Sequence, residues 1–247
     1  MKALILAAGY GTRLKALGAN TPKALLKVGN KPLADHILDR LRPLDGLEEV
    51  LVVTNEKFYE AFREWSSSED HADLAITIVN DGTRTPEDRL GSIGDIAFAI
   101  QHERVEDDLL VVGGDNLFDY NLQDFITFAR QKAPAISLGL YDIHSLQEAT
   151  KFGVVEVDGE GRVVSFEEKP ARPKSSLVAM CFYYLPKASL GLIDEYLRET
   201  KVSDTAGDYI RWLHKNHHVY GFQFTGTWYD IGSLEAYQEA QQKFKNR

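Results

Sequence analysis

The chain has 247 residues, 44% of them hydrophobic and 26% charged, and its formal net charge at pH 7 is −9. This balance is typical of a globular protein with a sizeable core. The negative charge argues against a broad nucleic-acid footprint, which needs clustered Lys and Arg side chains, but it allows a small phosphorylated ligand. Cys181 is the only cysteine, which excludes an intramolecular disulfide and a Cys-rich zinc site.

The start of the chain combines Lys2 with the apolar run "ALILAA" (3–8). That run is shorter than the hydrophobic segment of a secretory signal, and glycines and charged residues follow it directly. No apolar stretch elsewhere has the length needed to cross a bilayer. Together with the single cysteine, these features predict a cytoplasmic protein without a membrane partner.

Short apolar runs and amphipathic segments alternate over the first 150 residues. The short runs predict buried strands, and the segments with helical spacing predict helices, one of them capped by Asn121. Such alternation is typical of βαβ units on a mostly parallel sheet. The predicted strands are 2–8, 49–55, 74–80, 108–116 and 135–143, and the predicted helices are 32–44, 56–65, 93–101 and 121–133.

The pattern changes after Lys151, where apolar and polar residues alternate on both sides of the turn "DGEG" (158–161). This segment predicts a β-hairpin. Further strands are predicted at 177–185 and within 219–231, and a closing helix at 233–244 with Ser233 as its N-cap. The chain is therefore predicted to form one α/β domain. It would combine a Rossmann-like, doubly wound mixed sheet in residues 1–150 with a more antiparallel extension in residues 151–247.

The glycine-containing stretch "AAGYGTRL" (7–14) follows the first predicted strand. A dinucleotide-binding loop would need a third glycine where Leu14 stands, and a P-loop would need Gly-Lys-Ser or Gly-Lys-Thr. The stretch offers backbone N–H groups and the cation of Arg13, which together suit a polyphosphate. A plain strand-to-helix turn with a surface arginine explains the loop alone equally well.

A second stretch, "TPKALLKVGNKP" (21–32), follows closely and places Lys23 beside the rigid backbone of Pro22. With this pair of motifs the sequence resembles the sugar-1-phosphate nucleotidyltransferases, or NDP-sugar pyrophosphorylases. Their signature is Gly-x-Gly-Thr-Arg-Leu followed by Pro-Lys-x-Leu, and the pair is specific where the loop alone is not. The matching residues are Gly9, Gly11, Thr12, Arg13, Leu14, Pro22, Lys23 and Leu25.

The resemblance continues along the chain and implies a nucleotide-diphospho-sugar transferase fold. "GGDNLF" and "WYDIGSLEAY" resemble the family's metal-binding motifs, which implies that Asp115 and Asp230 bind Mg²⁺. "FGVVEVD" and "FEEKP" resemble its sugar-phosphate elements, centred on Gly153, Glu168 and Lys169. The residues implied for the nucleotide are Ala8, Gly9, Gly11, Thr12, Arg13, Gly91 and Ser92.

The chain ends soon after its last predicted helix. Compared with longer members of the family, it is therefore expected to lack an added C-terminal β-helix or acetyltransferase domain. The oligomeric state stays open, and a homo-oligomer is compatible with the sequence.

The implied reaction converts a nucleoside triphosphate and a sugar 1-phosphate to an NDP-sugar and pyrophosphate. The attacking phosphate oxygen is already anionic at neutral pH, so no general base is needed, and catalysis rests on positioning and charge neutralisation. Arg13 and Lys23 would neutralise the departing pyrophosphate, and Lys169 the attacking phosphate. Mg²⁺ would complete its shell with phosphate oxygens and water.

Each of these residues also has a simpler interpretation. Asp115 could form an Asx-turn, Asp230 could end a strand, and Glu168 with Lys169 could be a solvated ion pair. Asp208 could contact the sugar or cap a helix, and the cap is slightly favoured. Three aromatic residues are predicted to pack in the core: Tyr183, Tyr184 and Trp212.

The nucleotide and the acceptor stay open at this point. Asn80 and Asp81 stand where members that use dTTP or UTP often have a glutamine segment. The stretch "DGTRTPEDRL" (81–90) is faintly similar to cytidylyltransferase members. A cytidylyltransferase acting on a non-sugar phosphate or a phosphonate, such as phosphocholine, is therefore the alternative, with Asp95 and Asp208 facing a cationic amine. A protein that only senses a nucleotide, without turnover, would not need Lys23, Asp115 or Asp230. Since all three are present, this alternative is less favoured.

Overall fold

The computed structural model describes residues 1–11, 21–201 and 205–244. Its helices are α1 (Leu33–Leu41), α2 (Tyr59–Ser66), α3 (Gly91–His102), α4 (Gln123–Lys132), α5 (Leu146–Ala149), α6 (Gly191–Thr200), α7 (Ala206–Asn216) and α8 (Leu234–Phe244). Its strands are β1 (Lys2–Leu6), β2 (Lys27–Val28), β3 (Lys31–Pro32), β4 (Glu49–Thr54), β5 (Ile76–Asn80), β6 (Leu109–Gly113), β7 (Asn116–Phe118), β8 (Ile136–Asp142), β9 (Gly153–Val157), β10 (Val163–Glu168), β11 (Leu177–Leu185), β12 (Val219–Phe224) and β13 (Trp228–Asp230).

A nine-stranded mixed sheet forms the centre of the fold, with seven strands in the order β10-β9-β11-β6-β1-β4-β5. β1 runs parallel to β4 and β6, and β4 runs parallel to β5. β11 is antiparallel to β6 and β8, and β9 forms the predicted hairpin with β10. This arrangement confirms the predicted α/β fold with a mixed sheet.

Helices cover both faces of the parallel strands, as a doubly wound fold requires. Side chains alternate along β1, so that Ala3 and Ile5 pack with α1, α2 and α4 on one face. Leu4 packs with α3, α6 and α7 on the other face. Because both faces are buried, the strands are continuous apolar runs rather than alternating ones.

Two predicted helix caps are present in the structure. The Asn121 side chain accepts a hydrogen bond from the backbone N–H of Gln123 at the start of α4 (2.8 Å). Ser233 Oγ accepts from the N–H of Ala236 at the start of α8 (3.2 Å). Each side chain satisfies a backbone donor that has no partner within the helix.

Three features differ from the sequence prediction. The sequence pattern assigns no helix range between 186 and 218 beyond the helix that Asp208 could cap, whereas α6 and α7 both lie there. The predicted strand 108–116 is divided into β6 and β7 by a turn at Gly114 and Asp115. β12 runs parallel to β8, although it belongs to the part of the chain predicted to be more antiparallel.

The carboxyl ends of β1, β4, β5 and β6 meet at one edge of the sheet. There the N–H of Gly114 donates to the carbonyl of Leu6 (2.9 Å). A Cβ at position 114 would lie only 2.7 Å from that carbonyl oxygen, so a side chain would force the ends of β1 and β6 apart. Ligands of open α/β sheets bind at this edge.

Candidate active site

The edge of the sheet holds three adjoining cavities. A central cleft of about 280 Å³ is lined by Gly9, Gly11, Lys23, Asp115 and Asp230. The hairpin cavity, about 320 Å³, is lined by Gly153, Glu168, Lys169 and both aspartates of the central cleft. The loop cavity, about 230 Å³, is lined by Ala8, Gly9, Asp81, Arg89, Gly91, Ser92 and Asp95.

These shared walls connect the cavities. Asp115 and Asp230 separate the central cleft from the hairpin cavity. Gly9 separates the cleft from the loop cavity, and Ser92 lines both the loop and hairpin cavities. Nearly all the residues predicted for the site, from distant parts of the chain, therefore surround one connected space.

Lys23 and Asp115 form the ion pair of the central cleft. Lys23 Nζ donates to Asp115 Oδ2 at 2.8 Å, and both side chains are partly exposed. Lys23 begins a 3₁₀ turn after Pro22, whose backbone is extended (φ −63°, ψ 143°). The turn holds the lysine beside the end of β6, where its ammonium group can also meet an anionic ligand.

Asp115 and Asp230 lie side by side because β13 pairs antiparallel with β7. The N–H of Ile231 donates to the backbone carbonyl of Asp115 (2.9 Å), and Asp230 is opposite Asn116 in the register. Oxygen donors from two carboxylates match what Mg²⁺ takes from a protein, the rest of its shell being phosphate and water. Among the described residues, no group of three or more His, Cys, Asp or Glu side chains could hold a metal.

The glycine loop after β1 is fixed by its neighbours. The buried Asn55 side chain donates to the carbonyl of Ala8 (2.8 Å), and the Tyr10 hydroxyl donates to Thr83 Oγ1 (3.2 Å). Gly11 has a φ of +61°, in the left-handed region that favours glycine. Thr12 and Arg13, predicted for the nucleotide and for catalysis, lie outside the described residues.

The start of α3 forms one wall of the loop cavity. Gly91 has a φ of +78° there, and no side chain caps the helix at Leu90. The first N–H groups of a helix carry partial positive charge and suit an anionic or carbonyl ligand group. Gly91 and Ser92, the predicted nucleotide contacts, both line this cavity.

Glycines also shape the hairpin cavity. A Cβ at Gly153 would approach the Phe166 ring to 2.7 Å and Glu168 Oε2 to 3.1 Å. A Cβ at Gly207 would lie 2.0 Å from Glu168 Oε2. Glu168 therefore occupies a space that exists only because these two positions lack side chains. Gly207 carries no sequence signal that predicts this role.

Lys169 and Lys151 are two exposed lysines that line the hairpin cavity, and Lys151 is paired with Glu148 at 2.7 Å. The Lys169 side chain is 61% exposed, and its Nζ lies 3.5 Å from Glu168 Oε1. Its φ of +45° is unusual for a residue with a side chain. A loose, solvated pair contributes little to stability, so Lys169 is available to meet a phosphate.

Asp208 lies at the start of α7 and takes part in its cap. Thr205 Oγ1 accepts from the Asp208 N–H (3.3 Å) and donates to Asp208 Oδ2 (2.6 Å), while Arg211 pairs with Oδ1 (2.7 Å). The N-cap itself is Thr205, so Asp208 supports the cap from the first turn of α7 and is not the capping residue that the sequence favoured. The neighbouring Thr205, Ala206 and Gly207 line the hairpin cavity instead.

Tyr183 and Tyr184 are buried, as predicted, in the cores on the two faces of the sheet, whereas Trp212 is only partly buried, against the core that contains Tyr183. Tyr183 also lines the hairpin cavity beside Cys181. Burial, together with the nearby Asp115 carboxylate, raises the pKa of the Cys181 thiol. The cysteine is thus an inert thiol in the cavity wall rather than a nucleophile.

Comparison with known proteins decides the family. The family model described as "Nucleotidyl transferase" matches residues 2–247. The chain belongs to this family. The resemblance drawn from the paired glycine and Pro-Lys motifs is thereby confirmed. Enzymes of this kind are generally metal-dependent.

One curated protein is similar to this nucleotidyl transferase chain over nearly its whole length. The bifunctional protein GlmU from Methanocaldococcus jannaschii is 27% identical over 237 residues, which cover 94% of this chain and 51% of GlmU. The chain thus spans about half the length of this curated relative.

No described helix is long and apolar enough to cross a membrane.

Two solved structures share the fold across the whole chain. A Bacillus anthracis protein assigned as a glucose-1-phosphate thymidylyltransferase, in complex with sucrose, has a TM-score of 0.85 and 22% identity, covering 100% of this chain and 96% of its own. A UDP-glucose pyrophosphorylase in complex with UDP-glucose has a TM-score of 0.81 and 24% identity, covering 100% and 99%. The fold is therefore that of the nucleotide-diphospho-sugar transferases.

Proposed function

We propose that the protein is a Mg²⁺-dependent nucleotidyltransferase that converts a nucleoside triphosphate and a sugar 1-phosphate to an NDP-sugar and pyrophosphate. The observation that carries the proposal is the convergence of Lys23, Asp115 and Asp230 on one cleft. This cleft lies between the glycine loop and the hairpin cavity that contains Glu168 and Lys169.

The charges of these residues fit an in-line displacement at the α-phosphorus. An oxygen of the sugar phosphate forms the new P–O bond, the bond to pyrophosphate breaks, and no proton has to move. Lys23 stabilises the charge that accumulates as pyrophosphate leaves. Lys169 holds the acceptor phosphate, and Glu168 accepts a hydrogen bond from a sugar hydroxyl. Mg²⁺, held by Asp115 and Asp230, would neutralise phosphate charge when bound.

The two parts of the chain would divide the substrates within a single domain. Residues 1–150 contribute the glycine loop, Lys23 and the start of α3, which face the nucleotide. Residues 151–247 contribute Glu168 and Lys169, which face the sugar phosphate, and Asp230, which joins Asp115 at the boundary.

Two observations favour a sugar phosphate over the phosphocholine-type acceptor. The two carboxylates that would meet a cationic amine have different surroundings. Asp95 lines the loop cavity, whereas Asp208 already forms an ion pair with Arg211. The hairpin cavity instead offers Glu168 as an acceptor for a hydroxyl group and Lys169 as a phosphate contact.

The proposal is tested by incubating the full chain and Mg²⁺ with each of five nucleoside triphosphates and a panel of sugar 1-phosphates. We expect pyrophosphate release that requires both substrates and that is lost in Asp115→Asn. Asp158→Asn, on the exposed hairpin turn, serves as the control variant. Release from the triphosphate alone, or no release from any combination, would contradict the proposal.

A further inference from the structure

Asn116 is a buried amide at the active-site edge of the sheet, and the proposed chemistry gives it no role. It follows Asp115 directly, begins β7 and is only 2% exposed. A buried amide without hydrogen bonds costs free energy, so its donors and its acceptor need partners within the protein. The identity of these partners indicates what the side chain does.

Three hydrogen bonds fix the orientation of the Asn116 side chain. Its Oδ1 accepts from the indole N–H of Trp228 (2.7 Å). Its Nδ2 donates to the backbone carbonyl of Gly113 (3.0 Å) and to Asp115 Oδ1 (3.2 Å). An indole N–H can only donate and a backbone carbonyl can only accept, so the amide cannot turn over without losing both of these bonds. Trp228 and Gly113 therefore direct one amide N–H at the Asp115 carboxylate.

The Asp115 carboxylate is held at both of its oxygens. Asn116 donates to Oδ1, and Lys23 donates to Oδ2 at 2.8 Å. Each carboxylate oxygen can accept more than one bond, and Asp115 lines both the central cleft and the hairpin cavity. The two contacts thus set the orientation of the carboxylate and leave each oxygen able to bind a further partner.

The surrounding residues maintain this arrangement. A Cβ at Gly113 would collide with Asn116 Nδ2, so the amide occupies space that exists because position 113 has no side chain. Trp228 lies diagonally across from Asn116 in the pair of β7 and β13. Its ring packs against Tyr141 and Phe152, with centroid distances of 5.4 and 5.5 Å. This packing holds the indole N–H in place.

We infer that Trp228 and Asn116 are positioning residues that orient the Asp115 carboxylate for the divalent cation. This inference rests on the proposed function, because it takes Asp115 as a metal ligand. Hydrogen-bond partners that orient a metal ligand typically change metal affinity or activity by about 10- to 100-fold when they are removed. Neither residue has to touch the cation or a substrate to have this effect.

The test is cation binding without substrates, with Mn²⁺ as the probe. Mn²⁺ is titrated into the full chain, and the free ion is measured by electron paramagnetic resonance. Trp228→Phe keeps an aromatic ring against Tyr141 and Phe152 but removes the N–H, and we expect it to weaken Mn²⁺ binding by about tenfold or more. Asn116→Ala should weaken binding by a similar factor. The double variant should bind as Asn116→Ala does, because both changes break the same chain of contacts.

Trp65→Phe is the matched control. The indole N–H of Trp65 also donates to a side chain at 2.7 Å, the carboxylate of Asp35, and neither residue lines any of the three cavities. The control therefore removes an equivalent hydrogen bond away from the site. We expect thermal unfolding to change to a similar extent in both tryptophan variants, and Mn²⁺ affinity to fall only in Trp228→Phe.

A kinetic readout separates positioning from contact with a substrate. In the pyrophosphate assay, Trp228→Phe should raise the Mg²⁺ concentration that gives half the maximal rate, and saturating Mg²⁺ should restore most of kcat. Trp228 also lines the hairpin cavity. If it acted only by contacting the sugar phosphate, the variant would raise KM for that substrate and leave Mn²⁺ binding unchanged, which would overturn the inference.

The remaining outcomes bear on the inference separately from the proposed function. An equal loss of Mn²⁺ affinity in Trp65→Phe, or no Mn²⁺ binding by the wild-type chain, overturns the inference. An additive loss in the double variant does so as well, because the two residues would then act independently. If Asn116→Ala does not fold, the two tryptophan variants still decide. If Trp228→Phe alone weakens Mn²⁺ binding but no pair of substrates yields pyrophosphate, the inference stands and the proposed function fails.

Discussion

Replacing Gly207 with alanine would separate folding from substrate binding. The three atoms closest to a Cβ at this position all belong to Glu168, with Oε2 at 2.0 Å and Cδ at 2.4 Å. Real contacts of this kind are longer than 3.0 Å, so the carboxyl group would have to move by about 1 Å. The Glu168 side chain is flexible and open to the cavity, and it can make that movement without disturbing the core.

The expected effects on stability and on activity have opposite signs. Gly207 is the second residue of α7 and does not have a positive φ. Alanine fits that backbone and restricts the unfolded chain, which leaves the free energy of unfolding unchanged or raises it by up to about 1 kcal/mol. A displacement of about 1 Å in a positioned group costs roughly 100-fold in rate. We expect a fall of that order in kcat/KM for the sugar phosphate, mainly through KM.

Pyrophosphate release at varied sugar-phosphate concentration measures the kinetic effect, and thermal unfolding measures stability. Gly159→Ala is the matched control, because a Cβ there has open space around it. In a Glu168→Ala background, Gly207→Ala should add nothing, since both act through the same carboxylate. Full activity in Gly207→Ala, or an additive loss in the double variant, would refute the role given to Glu168.

Three further predictions follow from the site. Asp115→Asn and Asp230→Asn should each lower kcat by at least about 100-fold while thermal unfolding stays near that of the wild type; activity above a tenth of the wild-type value in either variant contradicts the metal assignment. Lys23→Ala should mainly lower kcat, and Lys169→Ala should mainly raise KM for the sugar phosphate, because only Lys23 meets charge that develops in the transition state; identical defects would contradict this division. Asp95→Asn should raise the melting temperature, and by more at pH 8 than at pH 5. The native state keeps a proton on Asp95 that the unfolded chain releases, so wild-type stability falls as pH rises from about 4 towards the raised pKa of about 8. An equal gain at both pH values would show that the carboxyl group is not held neutral.

Much of the fold could be predicted because its strongest signals are local. The run "VLVV" (50–53) in β4 is apolar throughout, since this strand is buried on both faces between helices. The hairpin at 158–161 and the cap at Ser233 depend on a few neighbouring residues. The pairing of Asp115 with Asp230 followed from the resemblance, and the antiparallel contact of β7 with β13 now gives it a physical cause.

The features that the sequence did not predict depend on contacts between distant segments. α6 has no side-chain cap, and α6 and α7 pack their aromatic residues against each other through Tyr196 and Tyr209. The parallel pairing of β12 with β8 is a matter of topology that no local pattern encodes. The chain has 19 glycines, and nothing in the sequence singles out Gly207 among them. The close approach of β10 to α7 is what leaves no room for a side chain at this position.

Burial separates the charges of the site into two functional kinds. Lys169 is mostly exposed and loosely paired with Glu168, so water screens it, and it can attract a phosphate at little cost in stability. The loop cavity is lined by buried residues such as Asp81 and Asp95, and a ligand group that finds no partner there cannot recover its hydrogen bonds from water. A ligand group that fits the loop cavity poorly leaves itself and its protein neighbour without water and without a hydrogen bond, which costs free energy. A poorly fitting group beside Lys169 stays hydrated, so the cost there is small. Selectivity for the nucleotide should therefore be sharper than selectivity for the acceptor. Measured kcat/KM ratios should differ more among triphosphates with one sugar phosphate than among sugar phosphates with one triphosphate.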